Sequence, residues 1–257
     1  MKISIITVTF NSEKTLESTI DSVRSQNYDE LEYIIVDGGS TDGTIRIINK
    51  NQDIISKWVS EPDKGISDAF NKGIRMSTGD LIGIINSDDM LEEGALSAVA
   101  NCIKADTDVL YGNVLSFGDG IKPFIEKPKD LSGLYDSMVL LHPATFVMKR
   151  AYDKYGVFNI DYKCCMDRDL LLRMYSRGAK FQYVDRVLSK FRQGGVNQRT
   201  YLTTTVSEGE KISIEYGMKP AKAKIISLKK RIRFCVRNLL LCTSFGKKLK
   251  EIKNRRH

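Results

Sequence analysis

The chain has 257 residues, of which 28% are charged and 42% hydrophobic, with 40 Lys and Arg against 32 Asp and Glu. This composition is ordinary for a globular protein and excludes collagen-like, low-complexity and disulfide-scaffold classes. The charge is uneven, because residues 219–257 hold fourteen basic residues and one acidic residue, a net charge of +13, whereas the remainder has a net charge of −5.

Strands and helices alternate over the first 114 residues in the predicted order. Strands are predicted at 3–10, 32–37, 54–59, 80–85 and 108–114, and helices at 13–26, 41–50, 67–76 and 96–102. Ser12 is the predicted N-cap of the first helix. Such alternation at short intervals predicts an α/β fold with a mostly parallel, Rossmann-like sheet and helices on both faces.

The pattern changes after residue 115. Strands are predicted at 144–149 and 181–191, and helices at 168–177, 203–216 and 222–241. We therefore divide the chain into an α/β half at 1–115, a mixed half at 116–200 that shares its core, and a basic helical C-terminal extension at 201–257.

Cysteine and histidine usage indicates the compartment and excludes one metal. Five cysteines form no C-x-x-C motif, which favours a reducing cytosol, and two histidines are too few for a His-ligated zinc site. The N-terminal apolar run is too short for a signal peptide, and the tail has no apolar stretch long enough to span a bilayer. We expect a protein that is neither exported by a signal peptide nor integral to a membrane.

Two adjacent carboxylates, Asp88 and Asp89, follow the predicted fourth strand. In open α/β sheets ligands lie at the carboxyl ends of the strands. A hard divalent cation would relieve the repulsion between the two carboxylates, with diphosphate oxygens completing its shell, so the pair favours Mg²⁺ or Mn²⁺. A solvated helix cap is the alternative interpretation of the pair.

Asp37 ends the second strand before a glycine-rich turn, where it could accept a hydrogen bond from a nucleobase or a ribose. A simple glycine-rich turn is the alternative. No G-x-G-x-x-G follows the first strand and no P-loop motif is present, which removes the best support for dinucleotide-dependent redox chemistry and P-loop hydrolysis.

Four motifs in order carry a resemblance to a known family. They lie at residues 7–11 (TVTFN), 36–44 (VDGGSTDGT), 61–73 (EPDKGISDAFNKG) and 79–89 (GDLIGIINSDD). The sequence resembles family-2 glycosyltransferases of the GT-A fold, especially small bacterial enzymes of O-antigen and capsule assembly. The resemblance covers roughly the first 200 residues. It implies an inverting transferase that uses a nucleotide-diphosphate sugar and Mn²⁺ or Mg²⁺, with the donor bound by residues 1–115 and the acceptor by 116–200.

The resemblance also implies roles for single residues of the first half. The end of the first strand would line the nucleoside, Asp37 would hold the uracil, Asp88 would contact the ribose or the metal, and Asp89 would bind the metal. The residues implied at the first-strand end are Thr7, Thr9 and Asn11. Phe70 stands where many relatives carry arginine, so Lys64 or Lys72 would neutralise phosphate instead.

A second acidic motif lies at 165–170 (CMDRDL) and resembles the Glu-Asp signature of the family. It implies that Asp167 is the catalytic base, with Asp169 as the fallback. Met166 stands in place of the usual glutamate. Inversion needs one in-line displacement, for which one base and one metal suffice. A helix N-cap is the alternative role for Asp167.

Two further segments resemble regions of the family near the acceptor and the diphosphate. His142 lies in a His-Pro turn that relatives place near the acceptor, and a partly exposed turn histidine is the alternative. Arg192 precedes Gly194-Gly195 and could touch a diphosphate, with an ordinary loop as the alternative.

The tail at 222–241 interleaves apolar and basic residues, which is typical of a segment lying on an anionic membrane surface. A helix packed on the body is the alternative; few aromatics argue against nucleic acid. We therefore expect a cytoplasmic enzyme that is peripheral on the inner face of a bacterial inner membrane. It would move a hexose from UDP-glucose or UDP-galactose to a lipid-diphosphate-linked sugar with a β-linkage. A sugar nucleotidyltransferase and a non-catalytic membrane- or polyanion-binding module are the alternatives.

Overall fold

A computed structural model describes residues 1–118, 120–193 and 201–242 of the chain. Within these residues the strands are β1 (Ile3–Thr9), β2 (Leu31–Asp37), β3 (Lys57–Ser60), β4 (Leu81–Asn86), β5 (Met90–Leu91), β6 (Val109–Gly118), β7 (Ile121–Glu126), β8 (Thr145–Met148) and β9 (Phe181–Arg192). The α-helices are α1 (Leu16–Arg24), α2 (Thr44–Lys50), α3 (Ile66–Met76), α4 (Ala95–Cys102), α5 (Lys149–Tyr155), α6 (Met166–Ser176), α7 (Val206–Glu215) and α8 (Pro220–Cys242).

One sheet contains all nine described strands in the order β3-β2-β1-β4-β8-β6-β9-β5, with β7 paired to the outer part of β6. The strands β1, β2, β3 and β4 pair in parallel, and β6 pairs in parallel with β9. Strand β8 runs antiparallel to both β4 and β6, so it joins two groups that point the same way. The predicted mostly parallel α/β sheet is therefore confirmed.

Helices cover both faces of the sheet. One apolar cluster lies under α3, α5 and α6, and the other under α1, α2 and α4. Strand β1 serves both, because Ile6 and Val8 point into the first cluster while Ile3 and Ile5 point into the second. A strand buried on both faces reads as a continuous apolar run, which is why its position was predictable.

Several predicted boundaries differ from the structure. Ser12 is not the N-cap of α1, because the helix begins at Leu16 and the Ser12 carbonyl accepts hydrogen bonds from Thr15 and Leu16. The strand predicted at 54–59 begins only at Lys57. Strands β5 and β7 and helix α5 were not predicted. The division at residue 115 falls inside β6, and the loop with Gly194 and Gly195 lies outside the described residues.

The C-terminal part of the described chain is helical. A short π-helical turn, Tyr201–Thr205, leads into α7, and α8 packs against α7 through the Ser227 hydroxyl, which donates to the Val206 carbonyl at 3.5 Å. Along the described residues, no helix combines the length and the apolar character needed to cross a bilayer. Residues 243–257 of the predicted tail lie outside the described residues.

Candidate active site

The loops that follow β1, β2 and β4 meet at the carboxyl edge of the sheet. Asn11 adopts a left-handed conformation (φ 50°), and its side-chain oxygen accepts a hydrogen bond from the Thr41 amide at 2.9 Å. The Asn11 amide donates to the Ser40 hydroxyl at 2.7 Å. The Ser12 and Ser87 hydroxyls lie 2.8 Å apart. Parallel strands bring their carboxyl ends together, so residues from three motifs form one rim.

Asp37 holds the loop after β2. Its fully buried carboxylate accepts hydrogen bonds from the amides of Gly39 at 3.0 Å and Ser40 at 2.9 Å, and from the Ser60 hydroxyl at 2.6 Å. Gly39 needs its glycine, because φ is +84° there. The carboxylate thus shapes the loop from within, and its contact with a uracil stays a prediction.

The structure separates the two threonines of β1. Thr7 is fully buried and its hydroxyl accepts a hydrogen bond from Tyr33 at 3.1 Å, so it belongs to the core rather than to the nucleoside-lining surface that was predicted. Thr9, at the strand end, has a buried hydroxyl with no hydrogen-bond partner among the described residues. A buried unpaired hydroxyl is uncommon and fits a group that awaits a ligand.

Asp88 and Asp89 lie just beyond β4 in different environments. Asp89 is 1% exposed, and its carboxylate accepts hydrogen bonds from the Arg192 amide at 2.9 Å and from the Asn86 side-chain amide at 3.2 Å. Burial, and then the nearby Asp88 charge, raise the pKa of Asp89 to about 8. Burial also raises the pKa of the half-buried Asp88. Both shifts arise mainly from burial, and the Arg192 charge offsets them only in part.

The oxygen atoms around this pair fit a hard divalent cation. Besides the two carboxylates, the Asn86 side-chain oxygen is buried and has no hydrogen-bond partner in the described part of the chain. Over those same residues, no group of three or more His, Cys, Asp or Glu gathers to form a protein-only metal cage. Mg²⁺ and Mn²⁺ sites commonly take one or two carboxylates and complete their shell with substrate phosphates and water. Asp88, Asp89 and Asn86 are therefore the residues that could hold the metal.

Arg192, predicted to lie near a diphosphate, ends β9 beside this pair. Besides its amide contact with Asp89, its side-chain Nε donates to the Asp88 carbonyl at 3.4 Å, and its guanidinium lies 4.8 Å from the centre of the Phe117 ring. The chain separation between Arg192 and Asp89 is 103 residues. The fold thus brings a cation to the carboxylates from a distant segment.

Asp167 and His142 face each other across a small cavity of about 10 Å³. Residues from four elements line it, including Ile84 of β4, two positions before Asn86, together with Thr145, Val147, Tyr152, Phe158, Leu170 and Leu171. Burial raises the pKa of Asp167, and the charge of His142 opposes that shift. Burial lowers the pKa of His142, which Asp167 opposes in turn. A carboxylate with a raised pKa in an enclosed place suits a general base.

Asp167 is not the N-cap of α6. The helix begins at Met166 with Cys165 as its N-cap, and the Asp167 carboxylate accepts a hydrogen bond from the adjacent Arg168 amide at 2.7 Å. The alternative prediction, that Asp167 caps this helix, is therefore wrong.

Glu208 of α7 anchors the segment that carries Asp167. Its carboxylate accepts hydrogen bonds from the amides of Lys163 at 2.8 Å, Cys164 at 2.9 Å and Cys165 at 2.9 Å. These amides precede α6, where a negative charge also interacts favourably with the helix dipole. The start of α6 is thus fixed by a helix that the sequence analysis assigned to the C-terminal extension.

Arg168 makes a second tie between α6 and its surroundings. Its buried guanidinium donates to the carbonyls of Leu134 at 2.8 Å, Tyr135 at 2.7 Å and Gly209 at 2.8 Å, and to the Ser213 hydroxyl at 2.8 Å. A planar fork of donors suits several acceptors at fixed angles. The side chain next to Asp167 is therefore locked.

The remaining predicted residues are engaged elsewhere. Lys72 pairs with Glu61 at 2.9 Å and Asp68 at 3.5 Å, which raises its pKa, so it is not free to replace the missing arginine. Asp169 is buried between Arg173 at 3.3 Å and the Tyr216 hydroxyl at 3.1 Å, and it does not line the Asp167 cavity.

Phe70, which the resemblance places at an arginine position of the family, contributes to the wall beside His142. Its ring stacks on the His142 ring at 5.3 Å and lies 5.0 Å from the ring of Phe158. The Phe70 ring thus gives the imidazole an apolar surface to pack against.

Sequence reasoning missed Asn86, Arg168 and Glu208. Asn86 carried a local signal, because it opens the run that ends in Asp88 and Asp89. Glu208 carried none, since its partners are backbone amides 43 to 45 residues away.

Comparisons with known proteins agree with this geometry. A family model described as "Glycosyl transferase family 2" matches residues 4–173. An uncharacterized glycosyltransferase of Mycobacterium tuberculosis is 31% identical over 181 residues, covering 66% of this chain and 68% of that protein.

Among solved structures, Staphylococcus aureus TarS 1–349 in complex with UDP-GlcNAc has a TM-score of 0.70 at 17% identity, covering 99% of this chain and 79% of that one. The mannosyltransferase PcManGT from Pyrobaculum calidifontis in complex with GDP-Man and Mn²⁺ has a TM-score of 0.66 at 16% identity, covering 98% and 79%. These likenesses confirm the predicted GT-A type of fold.

Proposed function

This chain belongs to glycosyl transferase family 2, and we propose that it transfers a hexose with inversion from a nucleotide-diphosphate sugar to a sugar carried on a lipid diphosphate. UDP-glucose and UDP-galactose are the donors we propose, with a β-linked product. The proposed setting is O-antigen or capsule assembly at the cytoplasmic face of a bacterial inner membrane. TarS and PcManGT have folds similar to that of this chain, and the nucleotide sugars in their complexes support the proposed donor class.

The observation that carries the proposal is the cluster of Asp88, Asp89 and Arg192 at the carboxyl edge of the sheet. Burial raises the pKa of both carboxylates, so their charged forms are poorly stabilised there, and the Asn86 oxygen beside them has no hydrogen-bond partner among the described residues. We propose that Asp88, Asp89 and Asn86 hold Mn²⁺ or Mg²⁺, which would neutralise charge on the departing diphosphate. The Arg192 guanidinium would contact the same diphosphate.

Asp167 is the proposed base. Attack by an acceptor hydroxyl at the anomeric carbon releases a proton, and a carboxylate within hydrogen-bond reach takes it as the new bond forms. In its protonated form His142 opposes the rise in the Asp167 pKa, so a charged imidazole would favour the ionised carboxylate. The apolar wall of Phe70 and Phe158 holds that imidazole in place.

Thermal unfolding with a series of UDP-sugars, with and without Mn²⁺, tests the donor side. A ligand at 100 times its dissociation constant adds about 2.7 kcal/mol to the free energy of unfolding. We expect UDP-glucose or UDP-galactose to protect the protein only when Mn²⁺ is present. If no UDP-sugar protects it, the proposed donor is wrong.

Turnover by Asp167→Asn tests the base. We expect turnover to fall about 10²- to 10⁴-fold while donor protection stays unchanged, because the base acts on the acceptor. Asp161→Asn is the matched control, since Asp161 is exposed and precedes the same helix. Full turnover by the Asp167 variant would show that the base is misassigned.

A further inference from the structure

Helix α8 has one side that faces the protein. Residues on this side recur every three to four positions, and they contact α7 and the π-helical turn. Ala223 and Ser227 are 2% and 5% exposed, and the Phe234 ring stacks on Tyr201 at 4.9 Å. The Arg231 guanidinium donates to the Leu202 carbonyl at 2.6 Å, and Lys230 donates to the Asp136 carbonyl. These contacts fix the rotation of the helix about its own axis.

The opposite side of α8 presents large apolar side chains that are at least half exposed. We call these residues the apolar stripe, and each is between 50% and 71% exposed: Ile225, Leu228, Ile232, Val236 and Leu239. Their spacings of three and four residues place them on one line, since a helix turns by about 100° per residue. By the same geometry the line lies opposite Ala223 and Ser227. A single exposed leucine is normal, whereas five in one line form a surface that marks an interaction.

Basic side chains border the apolar stripe. Helix α8 contains seven Lys and Arg and no Asp or Glu. Of these, Lys222, Lys229 and Arg233 are exposed along one border of the stripe, and Lys224 is exposed along the other. Residues 243–257 add six basic residues against one acidic residue in the sequence. An apolar face with cationic borders complements an anionic surface that has an apolar interior.

We propose that the apolar stripe of α8 is the surface by which the protein rests on an anionic lipid membrane. The helix would lie in the plane of the interface, with the stripe in the acyl boundary and its bordering cations among the headgroups. A second copy of this chain is a poor occupant, because two such helices would bring together fourteen positive charges and no negative ones. The inference goes beyond the proposed function, since it concerns attachment and needs no sugar donor.

Co-sedimentation of the full chain with lipid vesicles tests the proposal. We expect binding to vesicles of equal phosphatidylglycerol and phosphatidylcholine, at least tenfold weaker binding to phosphatidylcholine alone, and weakening with added salt. The double variant Leu228→Gln with Ile232→Gln should bind the anionic vesicles at least tenfold more weakly. Ile125→Gln is the matched control, because Ile125 is 56% exposed on β7, and its binding should be unchanged.

The bordering charges have a test of their own. Replacing Lys222, Lys229 and Arg233 by Gln should weaken binding about fivefold per charge, whereas Lys104→Gln, an exposed lysine outside the helix, should have no effect. Every variant is exposed at its site and should keep the wild-type unfolding midpoint.

Three results would overturn the proposal. The first is no binding to anionic vesicles, and the second is equal binding to both kinds of vesicle. The third is a dimer, measured by light scattering without lipid, that dissociates in the Leu228 and Ile232 double variant. That last result would assign the apolar stripe to a second copy.

Discussion

Glu208 supports three consecutive backbone amides ahead of the helix that carries Asp167, and its removal should loosen that helix start. Lys163 is exposed, so its amide can turn to water, but Cys164 and Cys165 are buried. Each buried donor left unpaired costs about 1–3 kcal/mol, so Glu208→Ala should lower the free energy of unfolding by about 2–6 kcal/mol. That loss is a large fraction of the stability of a typical domain.

The milder variant Glu208→Gln keeps one oxygen in place, and its cost should be about half as large. Urea unfolding of the metal-free protein measures this loss of stability as a shift in the unfolding midpoint with little change in the slope. Glu210→Gln is the matched control, because Glu210 lies on the same helix and accepts no hydrogen bond within the described residues. Equal midpoints for the two variants would refute the reasoning.

The same variant separates positioning from binding. In Glu208→Gln we expect kcat to fall while donor protection against unfolding stays at the wild-type level. The reason is that the carboxyl edge of the sheet, where the donor would bind, is built from the loops after β1, β2 and β4. A parallel loss of donor protection would mean that Glu208 acts through the general stability of the fold.

Three further predictions concern charge. Asp89→Asn should stabilise the metal-free protein by an amount that grows from pH 4 to pH 8, because the raised pKa of Asp89 makes the wild type lose stability over that range. Thermal melts in EDTA measure this difference in stability. When Mn²⁺ is added, it should stabilise only the wild type. His142→Phe should move the acid limb of the kcat–pH profile to higher pH, because the imidazole opposes the rise in the Asp167 pKa; a shift to lower pH would contradict this. Glu32→Gln should lower the free energy of unfolding by about 2 kcal/mol at pH 7 and by less below pH 4, as measured by urea titration. Burial alone would raise the Glu32 pKa, but hydrogen bonds from Ser4, Thr78 and Lys57 hold that pKa well below its usual range. An equal loss of stability at both pH values would refute the prediction.

Elements buried on both faces could be predicted from the sequence, and exposed or short elements could not. Strands β1, β2 and β4 are apolar runs bounded by polar turns, and their predicted ends differ from the structure by at most one residue. Strand β7 is exposed along five of its six residues, so it lacks the apolar alternation that would reveal it. Strand β5 has only two residues and depends on its partner β9.

The candidate site divides in the same physical way. Asp88 and Asp89 were found because two carboxylates side by side after an apolar strand form a local pattern. Arg192 and Glu208 each take part in a hydrogen bond in which one partner is a backbone amide. Any residue can supply such an amide, so the sequence contains no pair of side chains that would reveal the contact. Thr7 was misplaced because it lies two residues before the end of β1, where its side chain is fully buried and its hydroxyl is bonded to Tyr33.

The bond between Arg192 and Asp89 comes from the main chain, and this has a consequence for how position 192 can evolve. Every amino acid except proline would supply the same N–H to the carboxylate. Exchange of the guanidinium would therefore keep the main-chain bond to Asp89, but it would remove the Nε hydrogen bond to the Asp88 carbonyl and the positive charge beside both carboxylates. The main chain and the side chain of position 192 can therefore change independently, the first holding Asp89 and the second holding the Asp88 carbonyl.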